Sequence, residues 1–406
     1  MTAGGSTASL TVSHPLSASS ASIAATRSTG TLLDPGIAAD VAKYLQNGSL
    51  SYASVLTILQ DAAVGGMTTS KFSTLQTFAS ELNASGGISV SPYVQQIADD
   101  VIDGNSANAT WNGGSSTATA LGNLSATSSQ TQADELIGEW FLGANLPSLS
   151  LAAIGESNLN PTYQNSALPL FGSGGPTYQD VNQGYLGDCY FLSSLGEVAL
   201  KDPTAIENMI SSNGNGTYSV RFFVKGQADY VTVNSELPVM GGYRWANGST
   251  LEFANGTTDN WVALVEKAYA QLNAQTNAPH GFQLHTASDS YEGLATGTAG
   301  ALTMITDQSV TGYSLSSADS ATQLASIMSS MASDWSKGEE ILMSTPASSN
   351  GNLVGSHMYM ITGVNAAADT FTVQNPWNTA YSGSLAMNFT ETIQQLAADR
   401  CALYVA

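Results

Sequence analysis

The chain has 406 residues, a formal charge of −21, 43% hydrophobic residues and only 10% charged ones. That length accommodates two domains, each with its own core, and the hydrophobic share excludes a disordered acidic chain. The acidic field, with no Lys or Arg between Lys71 and Lys201, repels phosphate backbones and anionic lipid and so argues against nucleic acid or a membrane surface as partner.

Residues 1 to about 33 are Ser, Thr, Ala and Gly without aliphatic periodicity and read as a disordered leader. It lacks the basic and apolar regions of a secretory signal, and no apolar run approaches the ~18 residues of a membrane span. Low Lys, low Cys and abundant small polar residues resemble bacterial proteins secreted without a cleaved signal peptide. Asp34-Pro35 then supplies an N-cap and a first-turn Pro, followed by Ile37, Val41 and Leu45. Second, third and fourth helices are expected after Ser51, Thr69 and Ser91, each with an apolar stripe and a Gly stop. Residues 105–129 read as a linker or long loop, and a fifth helix spans Thr131–Leu142. Residues 34–150 thus form a helical N-terminal domain of unknown role, with a second domain from about 155.

Within that second domain, Gln183-Gly-Tyr-Leu-Gly-Asp-Cys-Tyr-Phe-Leu192 places a Gly-Asp pair before a Cys and then a helical pattern. Asp188 is the expected N-cap, which sets Cys189 at the positive end of a helix dipole, where a thiolate is favoured. The Gln183 amide, in the preceding Gly-punctuated loop, is a donor aimed at the same place. A nucleophile at a helix N-terminus with a side-chain donor beside it is half of an acyl-transfer site. Next come a hairpin across Lys225-Gly226-Gln227, an amphipathic helix from Trp261 to Leu272, a Gly-rich turn over 291–300 and a helix over 318–335. Strands at 357–362 and 370–374, a late helix near 390–397 and a last strand at 402–405 complete an α+β pattern.

A Cys nucleophile needs a base and a group to orient it. Of the four His, His14 lies in the leader, and His280 and His285 flank a loop. His357 opens a strand, and Asn375-Pro376-Trp377 ends the next one, so two antiparallel strands set His357 beside Asn375. The Asn carbonyl then holds the imidazole tautomer and Trp377 shields that bond. The second cysteine, Cys401, lies in an apolar run and reads as core; no Cys spacing suggests zinc.

Gln-Gly-x-Leu-Gly-Asp-Cys-(aromatic)-Phe-Leu resembles the active-site signature of the calpain family of cysteine proteases. So do Gly355-x-His-x-Tyr-x-Ile-Thr-Gly363, Asn375-Pro-Trp377, Trp261-x-Ala-Leu-x-Glu-Lys-Ala-Tyr269 and Leu237-Pro238. The likeness covers roughly residues 160–406. It implies a papain-like fold over 155–406, with a helical subdomain bearing the Cys and a β-sheet subdomain bearing the His and Asn. It also implies Cys189 as nucleophile, His357 as general base and acid, Asn375 as orienter, and Gln183 as oxyanion-hole donor together with the Cys189 N–H. The implied activity is cysteine endopeptidase action on protein or peptide substrates through a thioester, with self-cleavage of the N-terminal region as a further expectation. The alternative is a catalytically silent relative that binds a protein partner through the acidic helical domain. The chain departs from the family at Tyr190, usually Trp; at Asn234-Ser235, usually an Asp pair; and at Asn378, usually Gly. Relatives bind Ca²⁺ in protease-core loops; no EF-hand loop occurs here, so calcium is left open.

Overall fold

A computed structural model describes residues 32–406 apart from 153–154, 156–159, 242–243, 245, 252, 276–288, 296, 350 and 352. The described residues divide into two compact units. One runs to Asp103 and includes Ser125–Ala133; the other comprises Gly104–Leu124 and Asp134–Ala406.

The first unit contains α1 (Pro35–Tyr44), α2 (Tyr52–Ala63), α3 (Thr69–Glu81) and α4 (Pro92–Ile102). Each begins after a side chain that accepts from a first-turn N–H: Asp34 from Gly36 and Ile37, Ser51 from Ser54, Thr68 from Lys71, and Ser91 from Val94. These bonds satisfy backbone donors that have no partner inside the helix. Apolar residues three and four apart, such as Val55, Ile58, Leu59 and Ala62, are buried.

In the second unit, the stretch expected to be a linker carries a short antiparallel pair, β1 (Thr110–Trp111) and β2 (Thr119–Ala120). It is held there because buried Asn108 accepts from the Trp140 indole at 2.7 Å; Trp140 lies on α5 (Gln130–Leu142), a helix that contributes residues to both units. β3 (Thr162–Asn165), α6 (Cys189–Lys201) and α7 (Pro203–Met209) follow. β4 (Ile210–Ser212), β5 (Thr217–Val224) and β6 (Gln227–Asn234) form an antiparallel sheet. The β5–β6 turn is Lys225-Gly226, both with positive φ, as a two-residue hairpin of the right twist requires. β7 (Glu236–Val239) pairs with β3 and leads to α8 (Trp261–Gln275) and α9 (Gly300–Thr306).

The expected amphipathic helix is α8, and the structure corrects that reading: from Trp261 to Leu272 it is buried on all sides. Alongside Leu264 and Val265, the side chains of Glu266, Lys267 and Gln271 are also buried. Lys267 is tolerated because its ammonium donates to the Asn234 carbonyl and Oδ1 and to the Glu236 carbonyl, at 3.2, 2.6 and 2.8 Å. Burial nonetheless pushes it down to about 7.

The remaining elements are β8 (Thr311–Ser314), α10 (Ala321–Lys337), β9 (Ile341–Ser344), β10 (Met358–Asn365), β11 (Thr370–Gln374), β12 (Asn388–Thr392), α11 (Ile393–Ala398) and β13 (Ala402–Val405). Their six strands form one antiparallel sheet in the order β12-β11-β10-β9-β13-β8. Strand alternation splits its side chains between two cores. Leu342 and Met358 join the cluster that holds α6, α8 and α9, while Met343, Tyr359 and Ile361 join the one that holds α10 and α11. Cys401 lies in the second core; it and Cys189 are free and buried. Among the described residues no helix is long and apolar enough to cross a membrane.

Candidate active site

The first turn of α6 packs against the start of β10, and one face of the helix makes the contact. The Cys189 sulfur accepts from the Met358 N–H at 3.4 Å, and the Ser193 hydroxyl donates to the Met358 carbonyl at 3.0 Å. Two turns along, a Cβ on Gly196 would run into the Met360 side chain, which sits close against the helix because that residue is Gly. Glu197 Oε2 then accepts from Ile341 N of β9 at 3.4 Å. Residues 189, 193, 196 and 197 share a face at helical spacing, which fixes the sulfur next to the residue that follows His357.

His357 is fixed by its own neighbours. Its N–H donates to Thr345 Oγ1 at 3.0 Å and its carbonyl accepts from Thr345 N at 2.9 Å. A Cβ on Gly355 would strike the Ala347 carbonyl, so Gly is required where this loop turns into the strand. Past the ring, Asn375 Oδ1 lies 3.0 Å from His357 Nε2 and also accepts from the Trp377 N–H at 3.0 Å. A backbone N–H can only donate, so that Asn375 atom is the oxygen, and Nε2 is the nitrogen that carries the proton. The tautomer leaves Nδ1 as the unprotonated nitrogen. Asn375 is fully buried, and the Trp377 ring lies 5.1 Å from the imidazole, where it keeps water from the bond.

The turn that carries Asn375 is tied to the loop before Cys189. Gln183 N donates to the Pro376 carbonyl at 2.9 Å, and Asn378 Nδ2 donates to the Gln179 carbonyl at 2.8 Å. Thr379 N donates to Asn182 Oδ1 at 3.1 Å. Asn378 has φ +40°, left-handed backbone that Asn and Gly accept and other residues resist. The Asn in place of the more usual Gly thus meets the same backbone demand and adds a cross-loop bond.

Two sequence expectations need correction. Asp188 occupies the N-cap position of α6 but makes no capping bond; its carboxyl is fully buried and turned toward Glu266 of α8. The physical reason is that a buried carboxyl with another carboxyl in reach can share a proton, which a solvated cap cannot offer. Nor does the helix end hold a thiolate. Burial pushes the Cys189 thiol up to about 11; the Met358 N–H pulls the other way, and the Asp188 charge adds to the rise. Burial also pushes His357 down to about 4, against the opposing pull of Asn375. At neutral pH the resting pair is therefore a thiol and a neutral imidazole.

Gln183 is buried beside Asp188, and its Nε2 donates to the Leu186 carbonyl at 2.6 Å. Cys189 and His357 line a single cavity of about 310 Å³ together with Tyr190, Thr298, Ser344 and Tyr404. The structure thus gathers Cys189 and His357 at that cavity, with Asn375 behind the imidazole and Gln183 in the loop before the sulfur; His14, His280 and His285 lie outside the described residues. Thr345, Ser193 and Glu266 support the site and were not anticipated. Only Glu266 left a sequence signal, as an acid directly after the apolar pair Leu264 and Val265. Among the described residues, no three His, Cys, Asp or Glu side chains are grouped as they would be round a metal ion.

A cysteine thiol and an Asn-oriented imidazole in one cleft, in the chain order Cys, His, Asn, agree with what comparison shows. Residues 160–399 match the family described as calpain family cysteine protease. The chain belongs to the calpain family of cysteine proteases. Its similar relatives include calpain-13 of Rattus norvegicus, 27% identical over 254 residues, which are 60% of this chain and 34% of the rat protein. Calpain-type cysteine protease ADL1 of Oryza sativa subsp. japonica is 33% identical over 144 residues, 33% of this chain and 6% of the rice protein. The calpain-2 catalytic subunit of Bos taurus is 30% identical over 120 residues, 28% of this chain and 16% of the bovine one. The chain thus spans about a third or less of the length of these calpain relatives.

Proposed function

We propose that the chain is a cysteine endopeptidase that hydrolyses peptide bonds of protein substrates through Cys189, His357, Asn375 and Gln183, in a papain-like arrangement of a Cys-bearing helical part and a His- and Asn-bearing sheet. The observation that carries this reading is the His357 tautomer: Nε2–H is committed to Asn375, and Nδ1 remains to take a proton. As the sulfur attacks the substrate carbonyl carbon, its proton passes to Nδ1 and a C–S bond forms. The oxyanion is held by the Cys189 N–H, which as the first helical residue has no acceptor within its helix, and by the Gln183 amide. Collapse breaks the C–N bond, and the imidazolium gives its proton to the leaving amine. Water then loses a proton to Nδ1, adds to the thioester carbonyl, and the C–S bond breaks to return the thiol.

Self-cleavage of the N-terminal region belongs to the same proposal. It is read by incubating purified protein and following its mass, with no fragment from wild type, or the same fragment from Cys189→Ala, counting against it. The main test is cleavage of an unfolded protein substrate, which Cys189→Ala and His357→Ala each abolish. A wild-type chain that never reacts with an electrophilic thiol probe, yet retains a protein partner through residues 34–142, would favour the silent adaptor instead.

A further inference from the structure

Asp188 and Glu266 are used by no step above, yet both are buried, one directly before the nucleophile and the other on α8. Neither Asp188 oxygen makes a hydrogen bond of good geometry, and the Gln183 amide beside it donates to the Leu186 carbonyl. Both Glu266 oxygens draw on one donor, the Ala254 N–H, at 3.1 and 3.0 Å. The groups facing the pair are Gln183 of the preceding loop, Cys189 and Tyr190 of α6, Tyr269 of α8, Tyr163 of β3, and Tyr291, so among the described residues nothing that faces it supplies positive charge. Lys267, next along α8, directs its ammonium to Asn234 and Glu236 instead. Ionising both carboxyls in such surroundings is strongly disfavoured, and a proton between them gives a partner to an Asp188 oxygen that makes no hydrogen bond of good geometry.

We propose that Asp188 and Glu266 share a proton as an acid–carboxylate bridge, and that this bridge anchors the loop from Gln183 to Asp188 on α8 and so holds the Gln183 amide in place before the nucleophile. Both are positioning residues; neither touches substrate. The bridge closes a chain of contacts: Ala254 N holds Glu266, Glu266 holds Asp188, and Gln183 spans the same loop through the Leu186 carbonyl. The catalytic consequence rests on the protease reading above; the shared proton does not.

The test uses the full chain and two readouts. In infrared difference spectra at about pH 8, wild type minus Glu266→Gln shows the C=O stretch of a buried carboxylic acid, and wild type minus Asp188→Asn shows it too. In either variant an amide N–H replaces the shared proton, so kcat stays within about threefold of wild type. Glu266→Leu removes the bridge, and its kcat falls about tenfold or more with KM little changed, while Glu266→Gln rescues it. No acid band in either difference spectrum overturns the proposal, and so does a folded Glu266→Leu with wild-type kcat. The infrared comparison decides the shared proton whether or not Glu266→Leu folds. A wild-type chain that cleaves nothing defeats the protease reading while leaving that comparison intact.

Discussion

The helix start that carries Cys189 is built on a plan opposite to that of the four helix starts of the first unit, while Asp202, Ser320 and Thr392 cap other helices of the second unit in the ordinary way. Each of α1 to α4 opens on a side chain that satisfies its own first turn. α6, which carries Cys189, opens on an acid that leaves the first turn alone and faces α8 instead. A capped terminus gains roughly 1 kcal/mol of stability; an uncapped one keeps its N–H groups for a substrate oxyanion. On the proposed mechanism the difference separates a helix that only has to form from one whose end is part of a reaction site, and it makes the two regions respond differently to substitution.

The largest expected effect is at Asn375. Asn375→Ala releases the imidazole from its fixed tautomer, and kcat for peptide cleavage falls by about 10²-fold or more while circular dichroism keeps its native shape. Wild-type kcat in that variant would remove Asn375 from the account. Next is Gly355→Ala, whose added Cβ meets the Ala347 carbonyl, a backbone atom that cannot turn aside. It costs about 1–3 kcal/mol in urea denaturation and lowers kcat, because the displaced loop runs directly into His357.

The pH dependence sharpens the comparison from the site's side. His357 is held neutral in the fold with its value pushed down to about 4, below the ordinary 6.5. Between these values the unfolded chain binds the extra proton at this residue, so the His357 contribution to stability rises with pH through that window and is lost as pH falls toward 4. The raised carboxyls Asp99, Asp188 and Asp259 act in the opposite direction but are common to wild type and His357→Asn. In urea unfolding from pH 4 to 6.5, wild type therefore gains stability relative to His357→Asn as pH rises, by up to about 3 kcal/mol. Equal slopes would mean that the imidazole is not buried as described.

The smallest effects belong to the first unit. Ser51→Ala and Ser91→Ala each remove a capping bond and cost about 1 kcal/mol in the melting of that unit, with peptide cleavage unchanged. A matching loss of activity would break the distinction between the two kinds of helix start.

Those four helices were legible from the sequence because cap, periodicity and stop signal all lie within a dozen residues. The pairing of His357 with Asn375 was legible for a similar reason, since strand ends 18 residues apart follow from a hairpin-like return. The roles of Asp188 and Glu266 were not. Asp188 has every local mark of a cap, and only the burial of α8 on all sides from Trp261 to Leu272, a property of the whole second unit, turns it elsewhere. Thr345 left no signal either, because its bonds to the His357 backbone come from sheet register rather than from spacing along the chain. The reversed ionisation preference of Cys189 was hidden for the same reason: the helix end is written locally, and the burial that outweighs it is not.

The most direct test of the central claim is the mass of the intact chain after reaction with an electrophilic peptide probe, with the adduct mapped by fragmentation. The account predicts one adduct, on Cys189, that is absent in Cys189→Ala and strongly slowed in His357→Ala. A folded chain that takes no adduct, or takes it on Cys401, or reacts equally fast without His357, would contradict it.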